Sequence, residues 1–255
     1  MNEDAQQARH IVGAGTPAEA WEAWPGLAAL PMINAASLVG EKRRAVIVAP
    51  HPDDEVLGCG GLMRQLAALG RDMLLVSVTD GTGSHPGSIL WPPERLAKER
   101  PRESADALRL MGLASMPVVR AGFTDTRVAD DEAALTDWMS DILRIGDTVF
   151  TTWRGDGHPD HEATGRACAR ATVAMSCRMI EMPIWAWHWA VPGDSRIPWA
   201  SAARLSLSEE DLARKRAAMT AHVSQVTSDA ATGEEPVLTP HTLQRLLRSD
   251  EVLFL

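Results

Sequence analysis

Short apolar runs alternate along this chain with segments of helical periodicity, and this alternation constrains the fold more than any other feature. An apolar run at 45–49 precedes a helical pattern at about 54–69, and a second apolar run follows at 73–78. Strands that are apolar throughout are typical of a parallel sheet, because helices pack on both of its faces. The pattern predicts an α/β protein with three layers, in which a mainly parallel sheet lies between two layers of helices.

The same alternation continues towards the C-terminus. Further strands are expected near 117–119, at 148–151 and at 179–187, and helices at about 93–111, 131–145, 160–175, 208–222 and 240–248. Ligands of such sheets bind outside the carboxyl ends of the strands. Residues that directly follow a predicted strand are therefore the first candidates for a functional site.

Residues 1–40 precede this pattern, and we expect them to form an arm that packs on a single domain at 41–255. A chain of 255 residues, 45% of them hydrophobic, is long enough to bury one sizeable core. Within the arm, Thr16, Pro17 and Glu19 have the spacing of a capped helix start, with Thr16 as the capping residue.

Charge and hydrophobicity argue against several classes of partner. The net charge is −9, and acidic and basic residues are mixed, so that no basic block could follow a nucleic-acid backbone. No apolar run reaches the roughly 20 residues that span a bilayer, and the first residues are acidic and polar, unlike a signal peptide. We therefore expect a cytoplasmic protein with neither a nucleic-acid nor a membrane partner.

The first candidate cluster directly follows the strand at 45–49. It contains His51, Asp53, Asp54 and Glu55. Carboxylates at a helix start are stabilised by the helix dipole, so that capping accounts for part of this cluster. Capping does not account for His51, which points to chemistry at this strand end.

A second cluster follows the strand predicted at 148–151. It contains Asp156, His158, Asp160 and His161, and the two histidines share one helix face because they are three residues apart. Zinc favours imidazole and carboxylate ligands, and a catalytic zinc keeps one coordination position open for water. Two clusters at two strand ends therefore predict a catalytic metal site.

These motifs resemble those of a known family. Residues 49–55, Ala-Pro-His-Pro-Asp-Asp-Glu, and residues 157–161, Gly-His-Pro-Asp-His, are similar to the two signature motifs of the LmbE-like, or PIG-L, N-deacetylases. The similarity extends over about 44–226. It implies a Rossmann-like fold and the zinc-dependent removal of an acetyl group from an amino sugar, such as N-acetylglucosamine, or from an amino-sugar conjugate.

The resemblance also implies roles for particular residues. One zinc ion per chain would be bound by His51, Asp54 and His161, although other divalent metals suit the same ligands. Asp53 would be the general base that deprotonates the attacking water. His158 would stabilise the tetrahedral transition state or assist protonation of the leaving group.

Three further residues are candidates for substrate binding: Arg100, Asp125 and His222. Arg100 resembles a substrate-anchoring arginine of the family. Asp125 lies after the strand near 117–119, where it could bind substrate hydroxyls or pair with Arg127 in a turn. His222 lies in a family-like segment at the end of a predicted helix, where a histidine is also favourable without any function.

The chain departs from the family in having no tyrosine. Some family members carry a tyrosine that helps to bind the oxyanion, two residues before the first histidine of the second motif. Asp156 stands at that place here. The oxyanion is then expected to contact the metal, His158, a backbone N–H, Trp153 or Arg154.

Trp185 and Trp187 fall on alternate positions of the strand predicted at 179–187, and Trp189 continues the alternation just beyond it. Side chains at alternate positions of a strand share one face. Core packing and stacking on a sugar are both compatible with this arrangement of tryptophans.

Two other functions are compatible with the same motifs. The chain could be a zinc amidase that cleaves another small amide conjugate, or a non-catalytic protein that binds metal or sugar on the same fold. Asp53 favours an enzyme, because the ligand set does not require it. The sequence does not indicate an oligomeric state.

Overall fold

The computed structural model describes residues 9–255, and the first eight residues of the expected arm lie outside this range. The described residues contain an eight-stranded sheet in the order β1-β7-β8-β6-β5-β2-β3-β4. The strands are β1 Met32–Ile33, β2 Arg44–Ala49, β3 Asp72–Thr79, β4 Val118–Phe123, β5 Thr148–Thr152, β6 Arg178–Met182, β7 Ala202–Ser206 and β8 Asp250–Phe254. Strand β8 runs antiparallel to its neighbours β6 and β7, and every other pair is parallel.

Helices connect most of these strands. They are α1 Ala18–Glu22, α2 Pro25–Ala28, α3 Ala35–Leu38, α4 Asp54–Ala68, α5 Pro93–Leu110, α6 Glu132–Ile142, α7 Pro159–Ala174, α8 Ala186–Trp189, α9 Glu209–Met219, α10 Val223–Val226 and α11 Pro240–Leu246. No helix in the range 9–255 is long and apolar enough to cross a membrane.

The central strand β2 shows why the sheet is covered on both faces. All six of its residues are buried. Ala45, Ile47 and Ala49 pack with apolar residues of α4, α5 and α9 on one face, whereas Val46 and Val48 pack with α6 and α7 on the other. Full burial of each valine or isoleucine contributes about 1.5–3 kcal/mol, so that neither layer of helices is dispensable. The expected α/β fold is confirmed.

The strand predicted at 179–187 is too long. Strand β6 ends at Met182, Pro183 follows, and the chain then turns into the short helix α8. Pro183 has no N–H for a strand ladder. The three tryptophans therefore do not share a strand face: Trp187 is buried against Trp21, Trp189 stacks near Trp153, and Trp185 is half-buried.

Two other expectations on the helices are wrong. The helix predicted at 208–222 ends at Met219, so that His222 lies beyond it. Thr16 does not cap the first helix, which begins at Ala18, because its Oγ1 donates a hydrogen bond to the Ala190 carbonyl oxygen at 2.6 Å. Residues of the arm also supply β1, which pairs with β7 at the edge of the sheet.

Candidate active site

The two histidine motifs meet because they follow neighbouring parallel strands. Val48 of β2 pairs with Thr151 of β5, and each motif begins within a few residues of that pair. The ring centroids of His51 and His158 lie 4.9 Å apart, and those of His158 and His161 lie 4.8 Å apart. The carboxyl edge of the sheet therefore brings both clusters into one site, as expected for such sheets.

Three potential ligand atoms converge in this site. Asp54 Oδ2 lies 3.1 Å from His51 Nδ1 and 3.2 Å from His161 Nε2. Ligands of a tetrahedral zinc ion are separated by about 3.3 Å when each lies about 2.0–2.1 Å from the metal. His161 Nε2 is fully buried and has no hydrogen-bond partner in good geometry. An orphaned buried nitrogen of this kind fits a metal ligand.

A second set of potential ligand atoms surrounds His51. Ring nitrogens of His51, His158 and His161 lie within 4.8 Å of one another, and so do donor atoms of His51, Asp125 and Asp160. His51 Nε2 lies 3.1 Å from Asp125 Oδ1 and 3.3 Å from Asp160 Oδ2. With Nε2 held in this way, Nδ1 is left to face Asp54.

Asp160 belongs to the second cluster but was given no role from the sequence, yet it is completely buried beside His51. Its carboxylate also accepts hydrogen bonds from the backbone N–H groups of Thr126 and Val128, at 2.7 Å and 3.2 Å. Asp160 therefore connects the loop after β4 to the metal-competent cluster. Its place between the two histidines of the second motif is a sequence signal that could have found it.

Asp156 lies behind His161 and outside any oxyanion site. Its Oδ2 is 2.8 Å from His161 Nδ1, and the carboxylate accepts three backbone hydrogen bonds from residues 184–186 at 2.9–3.0 Å. Burial lowers the pKa of His161, but the neighbouring carboxylates of Asp54 and Asp156 outweigh it and raise the pKa to about 9. A position that stabilises a proton so strongly has a negative potential that equally favours a metal cation.

Asp53 lies beside this cluster in a strained backbone conformation. Its φ of 147° lies in the region that favours glycine, and its backbone N–H donates to Glu55 Oε2 at 3.1 Å. Burial raises the pKa of Asp53 to about 7, although the adjacent Arg100 opposes the rise. A carboxylate with such a pKa is suited to accept a proton near neutral pH.

Arg100 holds the Asp53 carboxylate from the other side. Its Nη2 donates to Asp53 Oδ2 and to the Pro52 carbonyl oxygen, each at 3.1 Å, and its Nη1 donates to the Gly81 carbonyl oxygen at 2.8 Å. Gly81 has a φ of 64°, and a Cβ at that position would overlap the guanidinium group. The turn after β3 therefore needs glycine so that Arg100 can reach Asp53.

His158 caps helix α7 with one nitrogen and keeps the other available. Its Nδ1 accepts a hydrogen bond from the backbone N–H of Asp160 at 3.3 Å. Burial and the neighbouring His161 and His51 lower the pKa of His158 to about 2, so that the ring is neutral. A neutral imidazole that accepts at Nδ1 carries its proton on Nε2, and is a hydrogen-bond donor there.

A cavity of about 430 Å³ opens onto these groups. The candidate residues that line it are His51, Asp53, Asp54, Arg100, Asp125 and His158. His161 is fully buried behind them. Unexpectedly, the arm contributes Ile11 and Gly13 to the wall, and the C-terminal segment contributes residues 237–239 and Thr242.

Three sequence candidates do not join this wall. His222 is fully buried, and neither of its ring nitrogens has a hydrogen-bond partner. Arg154 is engaged by Glu181 at 2.9 Å, and Trp153 packs edge-on against Phe254. Trp153 and Arg154 are therefore excluded as the oxyanion donors that the missing tyrosine had suggested.

The fold and the cluster together are those of the Rossmann-like N-deacetylases. The PIG-L family, described as GlcNAc-PI de-N-acetylase, matches residues 46–172. The chain is 30% identical over 151 residues to the uncharacterized deacetylase YaiS of Escherichia coli. The aligned region covers 54% of this chain and 71% of the relative. The chain belongs to the PIG-L (LmbE-like) family, and the resemblance of the two motifs is confirmed.

Other relatives have sugar-conjugate substrates in their names. A probable N-acetyl-alpha-D-glucosaminyl L-malate deacetylase 2 of Bacillus cereus is 31% identical over 140 residues, which are 52% of this chain and 63% of the relative. The solved structure of N,N'-diacetylchitobiose deacetylase from Pyrococcus horikoshii superposes with a TM-score of 0.52 at 26% identity, over 72% of this chain and 70% of that chain. Both relatives are named as deacetylases of N-acetylated sugars.

Proposed function

We propose that this protein is a metal-dependent hydrolase that removes an acetyl group from the nitrogen of an amino sugar or of a small amino-sugar conjugate. The convergence of His51 Nδ1, Asp54 Oδ2 and His161 Nε2 beside the Asp53 carboxylate carries the proposal. Two aspects of the homologues support it, namely their membership of one deacetylase family and the N-acetylated sugars in their names.

His51, Asp54 and His161 would hold the metal, with zinc as the first choice. Two imidazoles and one carboxylate are a common catalytic zinc set, and they also accept other divalent ions. When bound, zinc lowers the pKa of its water towards about 7 and polarises the amide carbonyl.

Asp53 would take the proton from the attacking water. Its Oδ2 is bound by Arg100, so that Oδ1 is the oxygen left for proton transfer. Arg100 also donates to two carbonyl oxygens, and its principal role would be to position Asp53. Three of its five N–H groups are used in these contacts, and its Nε is buried without a partner.

His158 would donate its Nε2 proton to the developing oxyanion. The cap hydrogen bond at Nδ1 leaves this tautomer, and His158 lines the cavity. A fixed donor of this kind stabilises a tetrahedral transition state because it needs no reorganisation. It would take the place that a tyrosine occupies in some relatives.

Asp125 would position His51, and contact with sugar hydroxyls would be secondary. Oδ1 contacts His51 Nε2 at 3.1 Å, and Oδ2 accepts the backbone N–H of Gly83 at 2.6 Å. Burial raises the pKa of Asp125, but the hydrogen bond from His51 and its charge outweigh it and lower the pKa below the usual range. His222 is buried away from the cavity wall, and its role would be in packing.

A cytoplasmic location of the protein stays a prediction.

Metal content together with acetate release tests the proposal. The purified protein is assayed with N-acetylglucosamine, its glycosides and N-acetylated glycopeptides, with and without a chelator. We expect about one metal per chain, and acetate release that the chelator abolishes and zinc restores. Release of a different acyl group only would indicate an amidase for another conjugate. Bound metal with binding of sugars, but without release of any acid, would indicate a non-catalytic protein.

A further inference from the structure

We propose that the cavity selects conjugates whose group beyond the N-acetylated sugar is uncharged and apolar. The inference deepens the proposed function and rests on it, because it assumes that the metal end holds the acetamido group. Five side chains form what we call the apolar wall of the cavity: Ile11, Leu57, Trp185, Val237 and Leu238. All five lie outside the two signature motifs, and Leu57 lies one helical turn after Asp53.

Residues 9–16 of the arm are held over the cavity at both ends of this segment. Near one end, Arg9 forms an ion pair with Glu162 at 2.8 Å and donates to the carbonyl oxygen of Gly155. At the other end, Arg245 donates to the carbonyl oxygens of Ala14 and Thr16, at 2.8 Å and 3.1 Å. Residues between these anchors cross from the second motif to helix α11.

His188 fixes the middle of the arm. Its Nε2 lies 3.1 Å from the Val12 carbonyl oxygen, and its Nδ1 lies 2.8 Å from Arg245 Nη2. The backbone N–H of Thr16 donates to the His188 carbonyl oxygen at 2.9 Å. Ile11 and Gly13, which flank Val12 and line the cavity, are therefore held in place by these contacts.

The C-terminal side of the wall is equally anchored. The backbone N–H of Leu238 donates to the Gln225 carbonyl oxygen at 2.9 Å, and the Leu238 side chain is buried. Thr239 caps helix α11, and its Oγ1 lies 3.1 Å from Thr242 Oγ1. The two hydroxyl groups are thus already hydrogen-bonded to each other.

Charge decides what this wall can hold. Among the described residues that line the cavity, Arg100 is the one lysine or arginine, and it already donates to Asp53 and to two carbonyl oxygens. A carboxylate or phosphate placed against the apolar wall would lose water without gaining a cation. An apolar group would gain by leaving water. The malate carboxylates in the name of the Bacillus cereus relative would meet no lysine or arginine at this wall.

A matched pair of glycosides tests the inference by binding. The phenyl and 4-carboxyphenyl glycosides of N-acetylglucosamine are titrated calorimetrically into the metal-loaded Asp53→Asn protein, which cannot consume them if Asp53 is the base and which keeps an acceptor oxygen for Arg100. We expect the Kd of the phenyl glycoside to be lower by about 10-fold or more, because the carboxylate finds no partner. Equal Kd values for the two glycosides would overturn the inference.

Introducing a positive charge at the apolar wall gives a second test. Ile11→Lys and Val237→Lys, each made in the Asp53→Asn background, should reduce or invert the preference. Val12→Lys should leave it unchanged, because the Val12 side chain is 73% exposed and outside the wall. A preference that survives both wall variants would contradict the proposal. Thermal unfolding of each variant shows whether it folds. If one of the two wall variants does not fold, the other still provides the test.

The two proposals fail in different ways. If the wild-type protein releases acetate from both glycosides but binds them equally, the apolar wall is not selective and the deacetylase proposal stands. If it releases none while preferring the phenyl glycoside, selectivity stands and the reaction is wrong.

Discussion

Asp156 and His161 form a fully buried pair in which the carboxylate Oδ2 lies 2.8 Å from the imidazole Nδ1. The remaining acceptor sites of Asp156 are occupied by the backbone N–H groups of residues 184–186. This arrangement fixes the ring so that Nε2 faces Asp54. Asp156 stands where the family resemblance implied an oxyanion-binding tyrosine, but its carboxylate contacts a metal-competent histidine.

Replacing Asp156 with asparagine should weaken metal binding. The amide keeps the shape of the side chain but no longer places a negative charge beside His161, and changes of such supporting groups lower metal affinity by about 10–100-fold. Zinc affinity is measured by competition with a coloured chelator. Asp137→Asn, on the exposed face of helix α6, is the matched control and should bind zinc like the wild type. Unchanged affinity in Asp156→Asn would show that the pair does not support the metal.

Replacing Asp53 with alanine and replacing His161 with alanine should impair different properties of the protein. Asp53→Ala removes the proposed base and should lower kcat by at least about 100-fold, while about one zinc per chain stays bound. His161→Ala removes a ligand and should lose the metal along with turnover. Metal analysis and acetate release on the same samples separate the two effects. Full turnover by Asp53→Ala would end the assignment of the base.

The strained backbone at Asp53 should be visible in stability. Asp53→Gly and Asp53→Ala both remove the carboxylate that faces Arg100, so their difference reports on the backbone alone. At an unstrained helical position, glycine lowers the free energy of unfolding by about 0.5–1 kcal/mol relative to alanine. At a φ of 147° we expect the reverse, with glycine more stable by about 1–3 kcal/mol. Denaturant unfolding of the two variants measures this, and a less stable glycine variant would argue against strain.

His222 should make the protein acid-sensitive. Burial, followed by the charge of Arg100, lowers the pKa of His222 to about 3. The unfolded chain has a histidine pKa near 6.5, so it binds the proton first; the stabilising effect of the neutral ring is present above about pH 6.5 and is lost progressively down to about pH 3. Between pH 7.5 and 5 this loss is about 2 kcal/mol.

The variant His222→Leu isolates that effect. Leucine has a similar volume and no nitrogen that burial leaves without a partner, so its free energy of unfolding should lack this decline. The difference between variant and wild type should therefore grow by about 2 kcal/mol in favour of leucine from pH 7.5 to pH 5. Denaturant unfolding at the two pH values measures it. A difference that is constant with pH would mean that the pKa of His222 is the same in the folded and unfolded states, as for an exposed ring.

Sequence patterns predicted the central part of the molecule well for a physical reason. Strand β2 is apolar at every position because both of its faces are covered, and the site motifs directly follow it and β5. Residues that lie close in sequence to a strand end lie close in space at the sheet edge. The meeting of His51 with His161 could therefore be predicted without coordinates.

The rest depended on contacts between distant segments. The end of β6 is determined partly by Asp156, which binds the turn after it from 28 positions away in the chain. Strands β7 and β8 pair with each other across more than 40 residues, and no short-range pattern indicates such a pairing. Asp125 and Asp160 reach His51 only after two loops fold together, so their contacts with it were not predicted.

The anchored arm separates two properties of the protein that could otherwise change only together. Reactivity depends on groups at the ends of β2 and β5, whereas selection would depend on residues near the two ends of the described chain. Natural divergence or laboratory libraries confined to positions 11–13 and 237–239 could then redirect the enzyme to new conjugates at little cost to its chemistry.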